Sequence, residues 1–255
     1  RMATYNITAE QLKVGGILNS FEIPAVGSFS NLYSVDFDGV DDKANVGNVS
    51  ELDFNHNNPF TLSIWVKRDV INDSDVIIEK MMTTGNLTGY QLAFLGDNTI
   101  RIYVRRQNQT FNRIQRITDT TFTSTTEWYH VVSTYDGSRT NTGLKIYVNG
   151  SEQASTGYNS MNAGAWNNTA DFTIGRSING NVDEVSVYDS ALSITDITTI
   201  YNSGTPGDLA SLNPVGWWRM GDNNGGTGIT VTDEGSGGNN ATLENGPTFE
   251  TDVPS

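Results

Sequence analysis

Apolar and polar side chains alternate with a period of two residues through most of this 255-residue chain, from about residue 33 onward. In the segment 60–68, for example, Leu62, Ile64 and Val66 occupy every second position. This period places successive side chains on opposite faces of a strand, whereas a helix requires a period of about 3.6 residues. Similar segments bounded by turn-forming residues are YSVDFDG, TIRIYVRR, EWYHVVSTYD, GLKIYVNG, DFTIGR and NVDEVSVYD. The pattern predicts an antiparallel β-sandwich or barrel.

One segment departs from this pattern and predicts a short helix. In ALSITDITTIYNSG, Ser193 and Asp196 have the spacing of a capping box, and Ile197 and Ile200 follow at helical spacing. Gly204 is expected to end the helix, because glycine readily adopts the left-handed conformation found at helix ends.

The charge composition argues against several classes of function. The formal net charge is -14, and the 15 Lys and Arg residues form no long basic block, so nucleic-acid binding is not expected. The basic residues of RIYVRR and NRIQR are interpreted as parts of two paired strands. With no Cys and two His residues, disulfides are excluded and a zinc site is not expected. No apolar run approaches the ~20 residues of a membrane-spanning helix, so membrane insertion is not expected.

Four segments together resemble the LamG-like domains of the concanavalin A-like lectin/glucanase superfamily. They are VDFDGVDDKANVG, FTLSIWVKR, WYHVVSTYDGS with GLKIYVNG, and FTIGRSINGNVDEVSVYDSALSITDITTIYNSG, and they span roughly residues 33–204. The resemblance implies an all-β fold, an antiparallel jelly-roll β-sandwich of the concanavalin A type with one short helix. It implies little about function, because this fold carries lectins, glycosidases, pentraxin-like proteins and structural modules.

The chain is expected to contain one sandwich and one attachment segment. Residues 1–32 are interpreted as an N-terminal arm and residues 33–255 as the jelly-roll domain. Residues 213–255 resemble the segment that usually opens such a domain, and they hold too few large apolar groups to form a core alone. We therefore expect them to complete the same sandwich. The alternatives are that they begin a second domain or supply strands to a neighbouring subunit.

The N-terminal segment is similar to the starts of structural proteins of marine tailed phages, which often carry LamG-like modules. That similarity implies a non-enzymatic virion surface protein, such as a capsid decoration or tail-fibre protein, located in the virion. Its partners would be other virion proteins or identical subunits, with weak adhesion to cell-surface glycans. The alternative is a secreted or cell-surface lectin-like module of a bacterial protein, with an extracellular location.

An enzymatic role is not expected from the carboxylates. Glucanases of this superfamily place their carboxylates on one face of a strand, in a pattern like Glu-x-Asp-x-Glu. The segment ELDFN has Asn55 where the second glutamate should lie. Asp183 and Glu184 are adjacent, so in a regular strand they would face opposite sides. They are interpreted as structural, and His130 as an outward-facing strand residue. No catalytic residue is therefore assigned.

A cluster of aspartates follows the first predicted strand, and two interpretations of it stay open. In one, Asp38, Asp41 and Asp42 form a solvated strand end and an Asx-type turn. In the other, these residues bind Ca²⁺, a hard cation that takes 6–8 oxygen ligands. Asp222 and Asp233 would join that site if residues 213–255 pack beside the first strand.

Sugar binding requires an aromatic platform with amide groups nearby. The polar segment GYNSMNAGAWNN provides this combination in Trp166, Asn167, Asn168 and Tyr158. These four residues are the predicted carbohydrate site. The alternative is that Trp166 covers the edge of the core.

Overall fold

The computed structural model describes residues 29–54, 57–82, 88–105, 112–160 and 169–255. Its one α-helix in these ranges is α1 (Ile194–Tyr201). The strands are β1 (Ser34–Asp38), β2 (Lys43–Gly47), β3 (Phe60–Arg68), β4 (Val76–Met81), β5 (Gly89–Phe94), β6 (Ile100–Arg105), β7 (Arg113–Thr118), β8 (Tyr129–Tyr135), β9 (Leu144–Val148), β10 (Ser151–Glu152), β11 (Ser155–Ser160), β12 (Phe172–Ile174), β13 (Asn179–Tyr188), β14 (Gly216–Trp218), β15 (Thr230–Val231), β16 (Ala241–Glu244) and β17 (Thr248–Glu250).

The strands form two antiparallel sheets that pack face to face. The eight-stranded sheet has the order β10-β9-β8-β3-β13-β1-β17, with β14 also paired to β13. The nine-stranded sheet has the order β11-β7-β6-β5-β4-β12-β2-β16-β15. One large apolar core, to which both sheets contribute, lies between them. The predicted all-β antiparallel jelly-roll sandwich with one short helix is confirmed.

Strand β3 shows how the alternation of the sequence produces the two layers. Leu62, Ile64 and Val66 are fully buried in the core between the sheets. The residues between them, such as Ser63 and Trp65, face the opposite side of the sheet. Trp65 is nevertheless buried, because its ring stacks 4.7 Å from the His130 ring on the neighbouring strand β8.

The C-terminal segment 213–255 contributes strands to both sheets. Strand β14 pairs with β13 and β17 pairs with β1, which extends the eight-stranded sheet. Strand β16 pairs with β2 in the other sheet. Val231, Ala241 and Leu243 of this segment are buried in the shared core.

Helix α1 begins at the predicted capping box, in which the Ser193 side chain accepts a hydrogen bond from the backbone N–H of Asp196. The helix ends earlier than predicted, because Asn202 already adopts the left-handed conformation, with φ 46°, two residues before Gly204, whose φ of 107° is also positive. Ile197 and Ile200 pack against the outer face of the eight-stranded sheet, in a second apolar cluster. No helix in the described ranges is long and apolar enough to cross a membrane.

Residues 29–32 were predicted to belong to the N-terminal arm, but they contact the sandwich. The Phe29 ring stacks on Trp217 with ring centroids 6.3 Å apart, and the Asn31 side chain donates a hydrogen bond to Asp183 at 2.8 Å. The part of the arm that lies outside the described residues is therefore 1–28.

Candidate functional site

A row of eight outward-facing side chains crosses eight strands of the nine-stranded sheet. Each member lies directly opposite the next in the strand register, so all of them share one face of the sheet. From β16 to β11 the row reads Thr242, Asn45, Thr173, Glu79, Gln91, Tyr103, Gln115 and Tyr158. The outer face of this sheet therefore presents hydroxyl, amide, carboxylate and phenol groups in a continuous line.

Strand β6 adds basic side chains to the same face. Ile102 and Val104 are buried in the core, so Arg101, Tyr103 and Arg105, which alternate with them, face outward. Arg105 lies directly opposite another arginine, Arg113, on β7.

Polar contacts hold the central side chains of this face in fixed positions. The Arg101 guanidinium donates to Gln91 Oε1 at 2.8 Å, and Gln91 Nε2 donates to Glu79 Oε2 at 3.0 Å. The other oxygen of Glu79 accepts a hydrogen bond from Arg176. The chain of contacts spans strands β4 to β6, and it restricts the rotamers of long side chains that would otherwise be mobile.

Two tyrosine rings hold a guanidinium between them on this face. The Cζ atom of Arg113 lies 4.9 Å from the centroid of the Tyr158 ring and 5.8 Å from that of Tyr103. Arg101 also lies over Tyr103, at 5.0 Å from the ring centroid. Burial lowers the pKa of Arg101, and the charge of Arg113 acts in the same direction.

Several buried polar atoms of this face have no hydrogen-bond partner among the described residues. They are the Nε atoms of Arg101, Arg105 and Arg113 and the Oγ1 atom of Thr173. Buried polar groups are usually hydrogen-bonded, so a group of such exceptions on one face is unusual. We define these four residues, together with Gln91, Gln115, Tyr103 and Tyr158, as the polar face.

A cleft of about 430 Å³ lies next to the polar face, between β4 and β12. Its lining includes Glu79, Thr173 and Arg176, together with Asp171. Asp171 accepts a hydrogen bond from the side-chain amide of Asn45 at 3.3 Å. The cleft therefore continues the polar row toward the β2 side of the sheet.

The predicted carbohydrate residues fall partly on this face. Tyr158 is the β11 member of the polar row and is half-buried. Trp166, Asn167 and Asn168 lie outside the described residues. The arginines were absent from the predicted site, because RIYVRR and NRIQR were interpreted only as paired strands. The signal was the occurrence of basic and aromatic residues at every second position of β6, in Arg101, Tyr103 and Arg105.

Three of the predicted metal ligands lie together. One carboxylate oxygen from each of Asp38, Asp41 and Asp42 lies within 4.8 Å of the others. Asp42 Oδ2 accepts a hydrogen bond from the backbone N–H of Asp38 at 3.0 Å, and Asp38 Oδ1 accepts one from Val40 at 2.8 Å. The turn thus contains the hydrogen bonds of the Asx-type interpretation as well as convergent oxygens. Ca²⁺ binding at these three residues stays a prediction.

The other two predicted ligands lie elsewhere and hold backbone amides. Asp222 accepts hydrogen bonds from the N–H groups of Leu32 and Tyr33, at 2.7 and 3.1 Å, next to the start of β1, whereas Asp38 lies at the end of that strand. Asp233 accepts the N–H of Trp217 at 2.7 Å and those of two further residues of its own loop, Gly235 and Asn239. The expected convergence of both clusters is therefore not found.

Asp183 and Glu184 share the outer side of the eight-stranded sheet, in contrast to the regular strand assumed above. A bulge in β13, with Glu184 at φ 43°, turns both side chains beneath neighbouring loops, and both are buried. Burial raises the pKa of Glu184 to about 7, although Arg219 and Trp217 donate hydrogen bonds to it. Burial, reinforced by the neighbouring Glu184 charge, also raises the pKa of Asp183.

Ser63 and His130 form a buried pair close to Glu184. Ser63 Oγ lies 2.9 Å from His130 Nε2, and burial lowers the pKa of His130 to about 3. The cavity that they line with Glu184 measures about 10 Å³, roughly the volume of one water molecule. His130 faces outward from the core, as predicted, but it is covered by other residues. No substrate has access to this pair.

A second cleft, of about 670 Å³, lies on the eight-stranded sheet between β9, β10 and the start of α1. Its lining includes Lys145 and Glu152, which form an ion pair with each other at 3.0 Å. Tyr147 also lines it but is buried. Lys145 is the basic side chain of this lining, and its pairing with Glu152 leaves the cleft without the unpaired cations that the polar face presents.

Comparisons with known proteins agree with this architecture. A carbohydrate-binding candidate protein of Bacteroides ovatus ATCC 8483 superposes with a TM-score of 0.61 at 20% identity, covering 89% of this chain and 62% of that protein. This chain therefore corresponds to less than two thirds of that relative. The heptameric SAP-like pentraxin of Limulus polyphemus superposes with a TM-score of 0.52 at 13% identity, covering 87% and 95% of the two chains. No curated protein matches the sequence.

The family model of the Laminin_G_3 domain matches residues 38–198, which is more than half of the chain. These residues include strands of both sheets and the start of the helix that packs on the outer face. The chain therefore belongs to the Laminin_G_3 family of the concanavalin A-like lectin/glucanases superfamily.

Proposed function

We propose that this chain is a non-enzymatic carbohydrate-binding module that holds a glycan against the polar face. The observation that supports this function is the continuous row of amide, phenol and guanidinium groups, several of which have buried polar atoms without partners in the described ranges. Sugars present hydroxyl groups as well as apolar ring faces. Hydrogen-bonding side chains beside tyrosine rings complement both features.

Binding without turnover agrees with the positions of the carboxylates. Asp183 and Glu184 have raised pKa values, which are typical of catalytic acids, but both are buried and accept hydrogen bonds within the chain. Glu79, which does lie beside the polar face, is engaged by Arg176 and Gln91. These three carboxylates are thus held in structural contacts.

Replacing Tyr158 with alanine should weaken glycan binding about tenfold, through loss of the ring and of the position that it imposes on Arg113. The measurement is a glycan array followed by calorimetric titration of the best ligand. Lys145→Ala, which alters the cleft on the other sheet, is the matched control and should leave affinity unchanged. Loss of binding in Lys145→Ala with full binding in Tyr158→Ala would place the ligand in that other cleft and contradict the proposal.

The virion-surface role stays a prediction that depends on the N-terminal segment. Residues 29–32 are bound to the sandwich, so the informative deletion removes residues 2–28 and keeps the contacts of Phe29 and Asn31. This deletion should abolish assembly with identical subunits or other virion proteins while the unfolding transition is retained. Co-sedimentation with the assembled particle measures the result, and retained assembly would contradict an attachment role for the segment.

A further inference from the structure

Two arginines face each other on the polar face, and neither forms an ion pair within the described part of the chain. Arg105 and Arg113 occupy directly opposite positions of β6 and β7. Like charges in such a pair destabilise a sheet, so this arrangement carries an energetic cost. Arg101 adds a third positive charge, since Arg101 and Arg113 lie 5.0 and 5.8 Å from the centroid of the same Tyr103 ring.

Most other Lys and Arg residues in the described ranges form ion pairs with carboxylates. In the described ranges, the cations that form ion pairs with carboxylates are Lys43, Lys67, Arg68, Lys80, Lys145, Arg176 and Arg219. Arg101, Arg105 and Arg113 form no such pair there. A chain with 29 Asp and Glu residues against 15 Lys and Arg residues has ample carboxylate to neutralise them. Arg116 and Arg139 also lack a carboxylate partner, but their Nε atoms donate to oxygens of Asn141 and Asn57, whereas the Nε atoms of the three arginines on the polar face have no acceptor among the described residues.

The three guanidiniums also retain unused hydrogen-bonding capacity. Each has a buried Nε atom without a partner in the described ranges. A guanidinium presents its N–H groups as a planar fork, which matches the two oxygens of a carboxylate or the oxygens of a sulfate. Either oxyanion would therefore supply the acceptor that these guanidiniums lack.

Neighbouring side chains already hold two of these guanidiniums in place. Arg113 is held by the rings of Tyr158 and Tyr103, and Arg101 by Gln91 at 2.8 Å. A ligand that binds them would restrict little further side-chain motion, so less affinity would be lost to ordering. The neighbouring hydroxyl and amide groups supply contacts to the neutral parts of a sugar.

From these observations we propose that the glycan bound by the polar face is anionic, and that its carboxylate or sulfate group is held by Arg105 and Arg113 with Arg101 beside them. This inference rests on the proposed function, since it names the chemical class of the ligand for the same site. The acidic surface elsewhere disfavours long polyanions such as nucleic acids, whereas a short acidic saccharide contacts only this face.

The test compares acidic saccharides with uncharged counterparts of the same backbone. Calorimetric titration uses oligogalacturonate against its methyl ester for the carboxylate, and a carrageenan oligosaccharide against its chemically desulfated form, which has no carboxylate, for the sulfate. At least one acidic ligand should bind tenfold or more tightly than its uncharged counterpart, with an affinity that falls as salt concentration rises. Arg105→Gln and Arg113→Gln should each reduce that affinity about tenfold. Arg113→Lys should recover only part of it, because lysine lacks the planar fork.

Arg139→Gln is the matched control, because Arg139 donates to Asn57 rather than to a carboxylate and lies in the 136–143 loop, outside the outward-facing row of the nine-stranded sheet. The affinity of this variant should equal that of the unmodified chain, and thermal unfolding should show that all variants are folded.

Equal binding of charged and uncharged partners would overturn the anionic assignment while leaving glycan binding intact. Absence of binding to every acidic and neutral glycan on the array would instead overturn the proposed function. A single-stranded DNA oligonucleotide that binds as tightly as the best acidic glycan would overturn the assignment to saccharides.

Discussion

Replacing Arg68 with methionine is expected to lower the free energy of unfolding by about 3–5 kcal/mol, because the change leaves a buried carboxylate without its partner. Arg68 is fully buried, and its Nε donates to Asp75 Oδ2 at 2.6 Å. The same guanidinium lies 4.4 Å from the Phe94 ring and donates to the Asn98 side chain. Burial raises the pKa of Asp75, and Arg68 opposes that rise, so its removal should raise this pKa further.

Urea denaturation measures the loss, and two variants show its origin. Lys145→Met breaks an ion pair that is half exposed and should cost less than about 1 kcal/mol. Asp75→Asn introduced into the Arg68→Met variant removes the unpaired charge and should recover part of the stability. A loss below 1 kcal/mol in Arg68→Met would show that water or rearrangement compensates for the buried charge, contrary to this account.

Glu184 should lower the free energy of unfolding by about 3 kcal/mol as pH rises from about 4.5 to about 7, whereas His130, whose pKa burial lowers from 6.5 to about 3, contributes in the opposite direction up to about pH 6.5. The pKa of this carboxyl is raised from its ordinary value of 4.5 to about 7, chiefly by burial. Between these two values the native state retains a proton that the unfolded chain has released. The stabilisation is therefore fully present below the unfolded pKa and is lost as pH rises through the folded pKa. Asp183, whose pKa is also raised, acts in the same direction.

The contribution of Glu184 can be isolated by removing its titration. Glu184→Gln should remove the contribution of Glu184, so stability should rise more steeply with pH between 4.5 and 7 than in the unmodified chain. It should also lower stability at pH 4.5, because the amide NH₂ replaces one of the two oxygens that accept from Trp217 and Arg219. Glu152→Gln, which alters an exposed ion pair, should keep the pH dependence of the unmodified chain. Denaturant unfolding across the pH range gives both slopes. An unchanged slope in Glu184→Gln would show that other groups carry the pH dependence.

Local sequence patterns were sufficient to predict the class of fold. The alternation in β3 places Leu62, Ile64 and Val66 in the core for the simple reason that successive strand residues face opposite sides. The capping box of Ser193 and Asp196 and the buried Ile197 and Ile200 lie within eight consecutive residues, so the start of the helix was equally local. Its end was not, since two residues, Asn202 and Gly204, both suit a left-handed position.

The candidate site required contacts that no local pattern contains. Arg105 and Arg113 were visible as strand residues, but whether they stand opposite each other depends on the register of β6 and β7. Gln91 and Glu79 join the same face through two further strand pairings. A shift of one residue in any of these registers would reverse the faces of a strand and remove the row.

The sequence by itself determined that the chain forms a two-layered β-sandwich with one short helix, because strand periodicity and capping depend on neighbouring residues. Only the tertiary structure decided which side chains meet. It brought Asp38, Asp41 and Asp42 together, placed Asp222 at the other end of β1, and buried Glu184 in a bulge. These outcomes depend on strand register and on backbone irregularities, which are set by packing across distant segments of the chain.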